Sequence, residues 1–245
     1  MRTALVASMV ALITGLFAQS SPAFIIECRP AEQSGYSSTH AQVWGPDSGD
    51  EQWDGPTANA SMSGLLWCNE MQQYFPYNIE SHSSASWGYE NIDNGVRLTF
   101  DTSGSCTLNH DPLFWQFSSY GSRIGGKGEA RAHMDGALWI EPQGGCPNVT
   151  ITVKPTVSEM PGLFDDWELQ VGSTMIDRLS PSTDIIVQTG TLVHFHFDQI
   201  TGYYTDATFG TSAPRYTSTT ILFTPEPATL ALVALGGAAL LRRKK

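Results

Sequence analysis

An all-β fold, an antiparallel β-sandwich of jelly-roll type, is the class this chain predicts, and three observations predict it. Apolar and polar residues alternate with a period of two in several short runs, the pattern of half-buried strands. Clusters of Gly, Pro, Ser, Asn and Asp stand between the runs and end them. The span between the termini, about two hundred residues without a long linker or low-complexity stretch, is enough to bury one sizeable core. Residues 24–223 are therefore read as a single sandwich domain, flanked by a signal helix and a C-terminal membrane helix.

The elements follow in chain order. Met1-Arg2 is a positive start, and Ala4 to Phe17 is an apolar run of signal-peptide length. Small residues at Ala18, Ser20, Ser21 and Ala23 offer cleavage after Ser20 or Ala23, so residues 1–23 are assigned to an export signal handled by the Sec machinery and signal peptidase. Ala58 to Tyr74 is the one internal helix candidate: Met62, Leu65, Leu66 and Met71 could form an apolar stripe, which Gly64 weakens. Val96, Leu98 and Phe100 alternate with Arg97, Thr99 and Asp101 as a strand. Val149, Ile151 and Val153 alternate in the same way with Thr150, Thr152 and Lys154. Ile185 to Gln188, Thr189-Gly190 and Thr191 to Asp198 read as a hairpin. Ala137 to Ile140, Trp167 to Val171 and Ser218 to Phe223 are further strands.

Charge and cysteines bound the compartment. Removing Arg2 and the four terminal cations leaves eight of thirteen basic residues against twenty-four acidic ones, a net charge near −16 instead of −11. Such a surface repels nucleic acid and anionic membranes and tolerates adventitious Ca²⁺. Cys28, Cys68, Cys106 and Cys146 include no Cys-x-x-Cys pair, which disfavours redox and zinc-ribbon sites. An even count in an exported chain predicts two disulfides with three connectivities open. Sequential pairing, 28 with 68 and 106 with 146, is favoured; each bridge would contribute roughly 4 kcal/mol.

Candidate chemistry is sparse. His194, His196 and Asp198 share one face if their strand is real, with Val193, Phe195 and Phe197 on the other. Two imidazoles and a carboxylate could cradle a metal, an arrangement similar to the His-x-His element of cupin barrels, although the glutamate that follows in them is missing here. The alternative is the solvent-facing half of an amphipathic strand, and no metal or other cofactor is assigned. Asp165, Asp166 and Glu168 around Trp167 could be a glycosidase acid/base pair, a Ca²⁺ loop or a solvated turn. The tryptophans at 44, 53, 67, 87, 115 and 139 are spread singly and are expected mostly in the core. No Gly-x-Ser-x-Gly, His-Glu-x-x-His, P-loop or dinucleotide fingerprint occurs, so no catalytic residue is assigned.

The C-terminus carries the most specific signal. Pro225-Glu226-Pro227 fixes the backbone and stops the fold, Ala228 to Leu241 is uncharged and apolar, and Arg242, Arg243, Lys244 and Lys245 close the chain. Fourteen apolar residues span about 21 Å as a helix against a hydrocarbon core of roughly 30 Å, which suits a transient sorting helix better than a permanent anchor. Residues 224–245 resemble the sorting signal of the PEP-CTERM family of exported bacterial proteins. The resemblance implies that exosortase, an integral-membrane protease, recognises Pro225, Glu226 and Pro227 and removes the helix and basic tail. It further implies export across the inner membrane, transient anchoring, and a cell-surface or extracellular destination. Two functions remain open: a non-catalytic structural or glycan-associated matrix protein with exopolysaccharide as a candidate partner, or a secreted carbohydrate-active enzyme on a β-sandwich.

Overall fold

The computed structural model describes residues 25–29, 34–44, 49–68, 71–93, 95–110, 125–141, 147–159, 166–206 and 214–225. These form thirteen strands: β1 (Ile26–Cys28), β2 (Ser34–Trp44), β3 (Gly49–Asp54), β4 (Thr57–Cys68), β5 (Gln73–Ile92), β6 (Gly95–His110), β7 (Gly125–Ile140), β8 (Asn148–Glu159), β9 (Asp166–Val171), β10 (Thr174–Ile176), β11 (Thr183–Gln188), β12 (Leu192–Asp206) and β13 (Arg215–Pro225). One sheet has the order β10-β9-β12-β7-β2-β3, with β1 also on β7; the other has the order β11-β8-β13-β6-β5-β4. Every pairing is antiparallel. The two sheets pack face to face, as the alternating patterns predict.

Period-two alternation is the cause wherever it is strongest. Val96, Leu98 and Phe100 of β6 are fully buried, as are Ile151 and Val153 of β8. Two expectations are corrected. Ala58 to Tyr74 is no helix: β4 runs from Thr57 to Cys68 and pairs with β5. Ala58 and Ala60 are buried while Asn59 and Ser61 are exposed, so a period of two outweighs the sparse i, i+4 stripe. The stretch 185–198 is no hairpin either. β11 belongs with β8 and β12 with β7 and β9, so the chain crosses between sheets. Gly190, at φ 73°, takes the left-handed conformation of that crossing.

The interior holds two apolar clusters with a polar waist between them. The larger gathers Val96, Leu98, Phe100, Leu138, Phe195, Phe197, Ile221 and Phe223 with their neighbours. The smaller gathers Val43, Phe75, Tyr77, Ile79, Cys106 and Leu108. At the waist, Gln199 donates to Thr102 Oγ1 at 2.7 Å and to the Thr217 carbonyl at 3.1 Å, and its Oε1 accepts from Thr219. Thr201 donates to Thr217 and pairs with Thr102. All five side chains are at most 2% exposed, and each has a partner. The sheets also approach closely there. A Cβ on Gly104 would stand 2.3 Å from the Gly128 carbonyl oxygen, and one on Gly128 would stand 2.6 Å from that of His82.

Pairing of Cys28 with Cys68 does not fit this frame. Cys28 N–H donates to Asn91 near one end of β5, whereas Cys68 pairs in register with Gln73 at the other end. Those eighteen residues of strand measure about 60 Å, far beyond the reach of a bridge. Cys106 lies against Gly126 on β7. Burial pushes the Cys106 thiol up to about 12. The side chain of Cys68 and the whole of Cys146 lie outside the described residues, as do the signal segment 1–23 and residues 226–245. Among the described residues no helix is long and apolar enough to cross a membrane.

Candidate functional site

The outer face of the first sheet collects ionisable side chains from two adjacent strands. β12 turns Phe195, Phe197 and Gln199 inward, which sends His194, His196 and Asp198 outward as the alternation predicts. β7 turns Ala132 and Met134 inward and sends Arg131, His133 and Asp135 out. The register sets His196 opposite Asp135 and Asp198 opposite His133. Asp135 bridges two imidazoles: His196 Nδ1 lies 2.7 Å from its Oδ1, and His133 Nε2 lies 2.9 Å from its Oδ2. The two rings meet edge to face with centroids 5.0 Å apart. Tyr36 of β2 stacks on His133 at 4.6 Å and fixes its plane.

The structure therefore redraws the candidate cradle. His194 and Asp198 do not join His196 around one point. Asp198 instead takes a two-pronged pair from Arg131, whose Nε donates at 2.7 Å. That hydrogen bond raises the Arg131 pKa further. His194 stands to one side and lines a cleft of about 260 Å³ with Asp135, Gln170, Gly172 and His196. The ligating atoms of His133, Asp135 and His196 all lie within 4.8 Å of one another. Partial burial acts to raise the Asp135 pKa, but hydrogen bonds from His196 and His133 outweigh it and hold the carboxyl below its ordinary value.

His133 and Asp135 are the residues that reading the sequence missed. Their signal was present as Arg-x-His-x-Asp at positions 131, 133 and 135, alternating with small or apolar residues. Only the β7–β12 pairing, between segments some sixty residues apart, brings them to His196.

The other candidates separate. On β9, Trp167 turns inward and its Nε1–H donates to Thr219 at 3.2 Å, while Asp166 and Glu168 point to solvent. The aromatic does not cover these carboxylates, and Asp165 lies outside the described residues. The described tryptophans divide between core and surface. Trp87 packs against the larger cluster, Trp139 lies beneath Arg29 at 4.2 Å, and Trp67 is 37% exposed beside Tyr74 at 4.9 Å. Trp115 and the side chain of Trp53 lie outside the described residues. Of the sorting-motif residues, Pro225 is seen as the last residue of β13, opposite Ile151. Glu226, Pro227 and Arg242 to Lys245 lie beyond it, outside the described residues.

Comparison with known proteins adds one finding. Residues 223–245 match the family model described as the PEP-CTERM protein-sorting motif, and no other family model is recognised. The chain matches no curated protein and no solved structure.

Proposed function

From that C-terminal match we propose that the chain is a non-catalytic, glycan-associated protein of the extracellular matrix, exported and then released from its membrane tail by exosortase. The match over residues 223–245 is the observation that carries the reading. The matrix role draws support from the exposed surface. Leu65, Trp67 and Tyr74 stand 61%, 37% and 61% exposed near the β4–β5 turn, and a tilted aromatic pair of this kind can stack on sugar rings. The carbohydrate-active enzyme is the weaker reading, because among the described residues the cleft beside His196 is lined by one carboxylate, Asp135, where glycoside hydrolysis ordinarily uses two. A jelly-roll path for the sandwich belongs to the same proposal, supported by the repeated crossing of the chain between sheets.

Mass spectrometry of protein recovered from its native host tests the route. The expected product begins between Ser21 and Phe24 and ends near Pro225 to Pro227; an exported product retaining Lys245 would overturn it. Affinity electrophoresis through gels containing the host's exopolysaccharide tests the matrix role. Retardation that disappears in Trp67→Ala and Tyr74→Ala is expected, and unretarded wild-type protein would defeat it.

A further inference from the structure

We propose that His133, Asp135 and His196 form a binding site for one borderline divalent transition-metal cation, of the Zn²⁺ or Cu²⁺ class, on the outer face of the first sheet. This goes beyond the sorting route and does not depend on it. Two imidazole nitrogens with one carboxylate is a donor set suited to such ions rather than to Ca²⁺ or Mg²⁺, which take oxygen ligands.

The geometry is close to what an ion needs. Metal–ligand bonds of about 2.0–2.2 Å put tetrahedral ligand atoms roughly 3.4 Å apart. The three ligand atoms already lie within 4.8 Å of one another. The side chains of His196 and Asp135 are 36% and 50% exposed, so both can turn to close the remaining gap. His133 is the fixed member, 11% exposed and clamped beneath Tyr36.

A second observation points to a ligand. The Nδ1 of His133 is fully buried and without a hydrogen-bond partner, and in the tautomer that donates Nε2–H to Asp135 it is a bare acceptor. Asp198 Oδ1, 3.9 Å away, is itself an acceptor and is locked by Arg131. Two acceptors facing each other across a buried gap are a poor match. A metal ion on Nε2 moves the ring proton to Nδ1, where Asp198 can accept it. The result is a carboxylate–histidine–metal relay, with Arg131 holding the outer carboxylate. The cleft on the His196 side leaves room for water to complete the coordination.

The test uses untagged protein from exporting cells, stripped with EDTA and titrated calorimetrically with Zn²⁺ alone. One Zn²⁺ per chain at about micromolar Kd or tighter is expected. Asp135→Asn and His196→Gln, both at half-exposed positions, should each weaken binding at least about tenfold with the metal-free circular dichroism unchanged. Asp198→Asn should weaken it about tenfold through the relay, and His194→Gln should leave it unchanged. Absence of saturable binding would overturn the site. So would Asp135→Asn and His196→Gln binding like wild type, or His194→Gln losing as much affinity as they do.

Discussion

The larger apolar cluster and the polar waist are built from the same strands, yet they hold the sheets together in different ways. Along β6 the inward residues run Val96, Leu98, Phe100, then Thr102 and Gly104, then Cys106 and Leu108. β12 passes from Phe195 and Phe197 to Gln199 and Thr201, and β13 from Phe223 and Ile221 to Thr219 and Thr217. Where the side chains are large, the sheets are joined by ring contacts such as Phe100 with Phe197 at 4.0 Å. Where they are small, backbone from one sheet reaches backbone from the other, and hydroxyls and one amide satisfy what is buried. Alternation decides which face a residue occupies. Side-chain size decides how far apart the faces stand.

That contrast can be broken at either place. Phe197→Ala should cost most, about 3–5 kcal/mol in urea unfolding, because Phe197 is fully buried between Phe100 and Trp167 and its loss leaves a cavity. A loss below about 1 kcal/mol would mean that the cluster collapses around the gap. Gly128→Ala should cost about 3 kcal/mol, since the new Cβ meets two backbone oxygens, of His82 and Ser105, that cannot rotate away. A neutral result would show that the sheets can part at the waist. Gln199→Leu should cost about 2 kcal/mol by taking the acceptor from the Thr219 hydroxyl and a donor from Thr102 Oγ1 and the Thr217 carbonyl, and adding Thr102→Val should recover part of it. Strict additivity of the pair would argue that the waist is not one network. Trp67→Ala, on the exposed surface, should change stability by no more than about 0.5 kcal/mol.

The sequence made the strand faces legible where alternation pairs large apolar residues with charged or hydroxyl ones, as at 96–101 and 149–154. It misled at Ala58 to Tyr74, where Ala58 and Ala60 alternate with Asn59 and Ser61: all are short side chains, and the true period hides behind a few leucines and methionines. The turn at Thr189-Gly190 was visible, but a turn signal does not say whether the next strand returns to its own sheet. The candidate site was half legible for the same reason. His196 and its face follow from local pattern, whereas His133 and Asp135 join it only through register with a distant strand. The cysteines show the limit of counting, because an even number does not say that Cys28 and Cys68 stand at opposite ends of β5.

The exit of the chain at Pro225 has a mechanical meaning. β13 lies inside its sheet, paired with β6 over Arg215 to Phe223 and with β8 over Thr217 to Pro225. The sorting motif begins on the last residue of that strand, and Ala228, the first residue of the apolar run, comes only three positions later. Tension on the C-terminus is therefore delivered along the strand with almost no slack. It loads both ladders in shear, so their hydrogen bonds share the force together instead of opening one after another from an end. A domain tugged by its tail meets the pull with the interior of its second sheet.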